Sequence, residues 1–118
     1  MIITAERLKC AILAALADTD LQKILNAVMY QSKSPNEVAI ETHISHTTTY
    51  RKIKWLLDKK LLIVDKIRIT QDGKKSSLFR TVLKSFSVKY DYNEVIIEAE
   101  QNVDTLRKIT ERFFSLNE

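Results

Sequence analysis

Two short stretches hold the side chains best suited to chemistry. Residues 44–60 read ISHTTTYRKIKWLLDKK, and residues 71–77 read QDGKKSS. Projected on a helix at about 100° per residue, Thr49, Ile53, Leu56 and Leu57 share one arc with Tyr50 at its edge. Thr47, Thr48, Arg51, Lys54 and Trp55 take the other side, with no acid before Asp58. Threonine hydroxyls bond phosphates or base edges, and their methyls touch thymine methyls. Arginine donates two bonds to one guanine, while lysines such as Lys74 and Lys75 neutralise phosphates. Trp55 can stack on a base, but packing against a neighbouring element is its commoner use.

The charge distribution points the same way. Residues 51–90 carry 12 basic and 3 acidic side chains, whereas residues 1–50 carry 4 and 5, and residues 91–118 carry 3 and 7. One basic block with acidic flanks suggests an anionic macromolecular partner. A solvated basic face is the plainer alternative.

Other chemistries have little support. The only glycine, Gly73, cannot supply a phosphate-cradling loop, so no enzyme is expected. Glu98 and Glu100 alternate on one face of a strand-like run and have no companion nucleophile. His43 and His46 are three residues apart, but zinc requires three or four ligands. The single cysteine, Cys10, excludes an internal disulfide and is expected as a small core residue. No metal and no cofactor is expected. Arg7 and Lys9 before CAILAALA imitate a secretory signal, yet the run is short and Glu6 interrupts its basic region. No apolar run is long enough to span a membrane, and a cytoplasmic location is expected.

The elements that must position these side chains follow from periodicity and caps. With 118 residues the chain has material for one core. Thr4 can cap a helix over about 5–16 whose stripe of Leu8, Ile12 and Ala15 is widened by Leu13 and Leu16, so that a second buried surface, such as a partner subunit, is implied. Asp18-Thr19-Asp20 can cap a helix over about 20–31. Ser34-Pro35-Asn36-Glu37 is a capping box that starts a short helix, 35–42, and Ser45 caps the helix 46–60. LLIVDKIRIT and SLFRTVLKS then read as strands around Asp72-Gly73, and FSVKY and EVIIEAE as a second hairpin turning at Asp91-Tyr92-Asn93. Asn102 can cap a last helix, 103–116, with Val103, Leu106 and Phe113 on one stripe.

A short helix, a tight turn, a longer helix and a basic hairpin have the proportions of a helix-turn-helix with a wing. The segment SPNEVAIETHISHTTTYRKIKWLLDKKLLIVDK, followed by DGKKSSLFRTVLKSFSV, resembles the archaeal ArsR-like winged helix-turn-helix transcription regulators. The likeness covers roughly residues 20–90 and rests on the capped short helix, IS at the turn, the TTTYRKIKWL run, DGKK in the wing and LFR in the returning strand. It implies a DNA-binding homodimer acting on transcription, with Thr47, Thr48 and Arg51 reading DNA, Ser45 and His46 near the backbone, and Lys74 and Lys75 in the wing. Two positions depart from the pattern: His43 stands where glycine is usual, and Thr49 where valine or isoleucine is usual. His43 can adopt a left-handed conformation at some cost, and Thr49 must place a hydroxyl, for which its own helix carbonyl is a candidate.

The expectation is therefore an α+β winged helix-turn-helix: four N-terminal helices, a basic hairpin wing, a second hairpin and a C-terminal dimerisation helix. Residues 1–90 would form the DNA-binding domain and residues 91–118 an extension for dimerisation. Ser45, His46, Thr47, Thr48, Arg51, Lys52, Lys54, Lys74 and Lys75 are the expected contacts to double-stranded DNA. Helix 46–60 would enter the major groove, with wing 71–77 on the backbone or minor groove. No effector ligand is indicated. The alternative is a winged-helix adapter that contacts acidic protein in transcription or replication machinery.

Overall fold

The computed structural model describes residues 1–102, so the expected helix 103–116 lies outside the described residues. Four helices precede two antiparallel hairpins: α1 (Glu6–Leu16), α2 (Thr19–Ala27), α3 (Pro35–Thr42), α4 (His46–Asp58), β1 (Leu62–Ile69), β2 (Lys75–Thr81), β3 (Leu83–Asp91) and β4 (Glu94–Gln101). The architecture is α+β, as the switch from helical to strand periodicity after Lys60 implies.

Each boundary has a local cause. Thr4 does not cap α1; Ala5 occupies that position without a side-chain bond. The chain arrives extended because residues 1–3 pair with β4, Ile3 N–H donating to the Ile97 carbonyl at 2.9 Å and Ala99 N–H to the Met1 carbonyl at 2.8 Å. Asp18 caps α2 by accepting from Leu21 N–H at 3.0 Å. That helix stops at Ala27, short of the expected residue 31, because the next residues serve β2 and its neighbours. The Val28 carbonyl accepts from Thr81 N–H at 3.2 Å, and Lys33 exchanges both backbone bonds with Phe79.

Ser34 and Glu37 form the reciprocal capping box of α3 with Pro35 in its first turn. His43 ends α3 in the left-handed region at φ 59°, the conformation that its glycine-like position requires. Ser45 then accepts from Thr48 N–H at 3.3 Å and starts α4. The far end of α4 closes two residues before the expected Lys60. Leu61 N–H donates to the Leu56 carbonyl and Lys60 N–H to Leu57, with Lys60 left-handed at φ 67°. This is a Schellman closure, and it buries Leu61 beside Leu56.

β1 and β2 pair antiparallel around a turn in which Gly73, at φ 80°, donates its N–H to the Thr70 carbonyl. β3 and β4 pair around Tyr92-Asn93, both at positive φ, the twist that suits a two-residue hairpin. Each pair has one register irregularity near its base, between Val64 and Lys66 and between Leu83 and Ser85.

One core joins the helices to both hairpins: Ile12, Ile24, Val28, Val38, Ile53, Leu56, Phe79, Leu83 and Ile97 belong to it. The expected boundary at residue 90 falls inside the β3–β4 hairpin, whose Ile97 and Ala99 share that core. Cys10 is not in it. The residue is exposed, because α1 turns Ala11, Ile12 and Ala15 inward and leaves Cys10 on the side of the exposed Leu13.

Thr49 is fully buried, and its hydroxyl has no hydrogen-bond partner, so the helix carbonyl suggested by the sequence is not used. Thr42, by contrast, donates to the carbonyl four residues back, that of Val38, at 2.7 Å. An unsatisfied buried hydroxyl costs about 1–3 kcal/mol relative to a paired one.

Candidate nucleic-acid interface

α4 carries its polar residues on a ridge. Thr47, Arg51 and Lys54 are exposed, and so are Ser45 and His46 at its start; Thr48 is half-buried. The core side of the helix holds Thr49, Ile53 and Leu56, which fixes the ridge outward. Tyr50, placed at the edge of the core arc by periodicity alone, is 55% exposed and stands beside Arg51.

Lys52 departs from the expected set. Its ammonium lies 2.6 Å from Asp18 Oδ2 and 3.6 Å from Asp20 Oδ2, and its side chain is only 16% exposed. Helical spacing turns Lys52 toward the start of α2, where the two carboxylates draw it in. The Lys52 bond, reinforced by the N-cap bond from Leu21, holds the Asp18 carboxyl below its ordinary value. Lys52 thus fastens α4 to α2 and is not available to a ligand as Arg51 and Lys54 are. Trp55 is half-buried and packs against the core, and the Lys59 ammonium sits 5.8 Å from its ring centroid. That arrangement matches the packing role expected for it.

The two tip lysines of the first hairpin also differ. Both are exposed, but the Lys74 ammonium leans to Asp72 at 3.9 Å, whereas Lys75 has no acidic partner among the described residues. Asp72 accepts from the Thr70 hydroxyl, and that bond holds its carboxyl below the ordinary range. Arg68 on β1 pairs with Glu37 on α3 at 2.8 Å and so ties the hairpin to the helix before the turn.

Arg51, Lys54 and Lys75 converge on an open groove of roughly 520 Å³ between α4 and β2, lined also by Pro35, Tyr50, Ile53, Leu57, Ser76, Ser77 and Phe79. No carboxylate lines it among the described residues. On the opposite flank of α4 lies a second groove, of roughly 450 Å³, where Arg51, Lys52 and Lys54 face Asp18 and Asp58 beside Trp55. Among the described residues, the same ridge therefore has one flank lined by positive charge alone and one where two carboxylates oppose three cations.

Tyr50, Ser76 and Ser77 were not among the side chains singled out from the sequence. Tyr50 read as the edge of an apolar arc, and the two serines, though inside the 71–77 stretch, drew no role of their own. The available signal was their placement beside Arg51 and Lys75, which becomes informative only once α4 and β2 are known to be neighbours. Among the described residues, no cluster of three or more metal-ligating side chains is present, and no helix is long and apolar enough to cross a membrane. Comparison of the chain with protein-family models and with curated protein sequences gave no match.

Proposed function

We propose that this chain is a sequence-specific, double-stranded DNA-binding regulator of transcription with a winged helix-turn-helix fold, acting in the cytoplasm as a homodimer. α3, the His43 turn and α4 form the helix-turn-helix, and the β1–β2 hairpin is the wing. α4 enters the major groove, where Thr47, Thr48 and Arg51 face base edges. Lys54, Ser45 and His46 approach the backbone, and Lys74 and Lys75 carry the wing onto the backbone or minor groove. The exposed apolar side of α1, with Leu13 and Leu16, is offered to the second subunit.

The observation that carries this reading is the state of the cations. Among the described residues, Lys9, Lys33, Lys52, Arg68, Lys74 and Lys89 each have a carboxylate within 4 Å, while Arg51, Lys54 and Lys75 have none that close, and these three line one groove. Unopposed cations beside hydroxyl-bearing residues on an exposed helix are what phosphate contact requires.

Selection of bound fragments from random duplex DNA tests the reading and yields the half-site spacing of a dimer. On the selected site, Arg51→Ala should weaken binding by about 1–3 kcal/mol and relax the preference at one base pair. Undiminished affinity and specificity in that variant would remove Arg51 from the base-reading role.

A protein-binding adapter is the second reading, favoured by the exposed Ile67 and Ile69 on the first hairpin and by the exposed Ile40 on α3. A mobility shift with random duplex at low salt separates the two. Absence of any shift favours the adapter.

A further inference from the structure

The groove between α4 and β2 has a feature that phosphate contact alone does not require. Its cations form only part of the lining. Ile53, Leu57, Phe79 and Pro35 provide an apolar surface, with the Tyr50 ring beside it. Ile53 and Phe79 are otherwise buried, so they form the floor, and the exposed Arg51, Lys54 and Lys75 form the rim. The hydroxyls of Tyr50, Ser76 and Ser77 have no hydrogen-bond partner among the described residues and are free to donate. The volume, roughly 520 Å³, lies within the range that accommodates a small organic molecule.

Apolar floor, cationic rim, free hydroxyls and no carboxylate among the described lining residues together specify a ligand with an apolar body and an anionic head. We propose that this groove binds a small amphipathic organic anion, such as an aromatic carboxylate, and that its occupant competes with DNA for Arg51, Lys54 and Lys75. The binding stands on the groove alone, whereas the competition rests on the DNA-binding reading above. The physical basis of the competition is direct: a head group that takes the rim cations removes them from phosphates, and an apolar body on the floor obstructs a duplex from closing over α4. The neighbouring groove is no equivalent, because Asp18 and Asp58 line it and Lys52 is already held by Asp18.

The test uses the full chain and three probes: 2-naphthoate, 2-naphthalenemethanol, which keeps the rings without the charge, and acetate, which keeps the charge without the rings. Titration calorimetry without DNA should show 2-naphthoate binding at least about ten-fold more tightly than either of the others. Lys54→Gln and Lys75→Gln, both at exposed sites, should each reduce its advantage over the alcohol several-fold, while Asp58→Asn leaves it unchanged. Equal binding of acetate and naphthoate would mean a charge-only surface and overturn the proposal. So would equal binding of the alcohol, no binding of naphthoate, or a preference indifferent to Lys54 and Lys75. With a labelled random duplex present, naphthoate should raise the apparent Kd for DNA and the alcohol should not. Naphthoate binding that leaves DNA affinity unchanged overturns the competition. A chain that binds naphthoate but no duplex instead removes the DNA reading, and the competition with it.

Discussion

The two hairpins are built alike and offer opposite surfaces. Each is an antiparallel pair with one irregularity near its base and a turn at positive φ. The first, β1–β2, bears Lys66, Arg68, Lys74, Lys75 and Arg80, with Asp72 at its tip and Asp65 buried near its base. It is docked through Lys33 and Val28 to the helices and through Arg68 to Glu37. The second, β3–β4, bears Asp91, Glu94, Glu98 and Glu100 beside Lys84 and Lys89. It is docked through residues 1–3 and through the Lys9 ammonium, which donates to the Val95 carbonyl at 3.1 Å. Backbone pairing thus accounts for the shape of a hairpin and nothing more. What it presents depends on its charges and on the element beside its base. The basic hairpin stands next to α4 and completes a cationic surface; the acidic one closes the core under α1.

That contrast can be broken most forcefully at the core. Ile97→Ala in the second hairpin should lower unfolding free energy by about 2–5 kcal/mol in urea titrations, because Ile97 is fully buried. The folded fraction should still bind DNA with wild-type affinity; a loss of intrinsic affinity would show that the acidic hairpin takes part in binding.

Charge removal comes next. Lys74→Ala with Lys75→Ala should weaken binding to every duplex and make the slope of log K against log salt shallower by about 1–2. Glu98→Gln with Glu100→Gln should leave that slope unchanged. Equal effects from the two hairpins would erase the distinction between them.

A third change should alter stability without touching either surface. Thr49→Val replaces an unpartnered buried hydroxyl with a methyl of the same shape, and should stabilise the fold by about 1 kcal/mol with DNA affinity and salt slope unchanged. A destabilised variant would show that the hydroxyl finds a partner in solution.

The smallest effect concerns the tie between the first hairpin and α3, which has no counterpart in the second. Burial works to raise the Glu37 carboxyl, but the Ser34 backbone and hydroxyl bonds and the Arg68 pair outweigh it and leave the group below its ordinary value of 4.5. A carboxyl depressed in the folded state stabilises above its unfolded value and loses that contribution as pH falls through the folded one. Glu37→Gln should therefore cost no more than about 0.5–1 kcal/mol at neutral pH, the two partners being about half exposed and screened by solvent. The gap between variant and wild type should close as pH is lowered below about 4.5. A gap that persists at low pH would assign the effect to the capping box rather than to the Arg68 pair.

Much of this molecule was legible in its sequence where the determinants are local. Ser34-Pro35-Asn36-Glu37 caps α3 because a serine and a glutamate three residues apart can satisfy each other's backbone wherever they occur. Ser45 starts α4 and the two turns close their hairpins for similar reasons of short range. Period-two and period-3.6 patterns placed the strands and the inward arc of α4 through Thr49, Ile53 and Leu56. Where competition between elements decided the outcome, periodicity failed. α2 ends early because Val28 and Lys33 bond to β2, and Cys10 faces outward although its surroundings in sequence are apolar.

The candidate surface divides in the same way. Its location, on α4 and the first hairpin, follows from a basic block bounded by helix caps and a glycine turn. Which cations are free does not follow, since Lys52 and Lys54 lie two residues apart and read alike. Only the packed structure separates them, because α2 brings Asp18 to within 2.6 Å of the Lys52 ammonium, while no carboxylate among the described residues comes within 4 Å of that of Lys54. The same packing gives Lys75 a groove to share with Arg51 and leaves Lys74 beside Asp72. Sequence by itself determined the elements, their order and where positive charge gathers, through bonds and periods that span a few residues. Tertiary structure alone decided which of those charges are neutralised and which remain open, because Coulomb attraction depends on distance in space and not on separation along the chain.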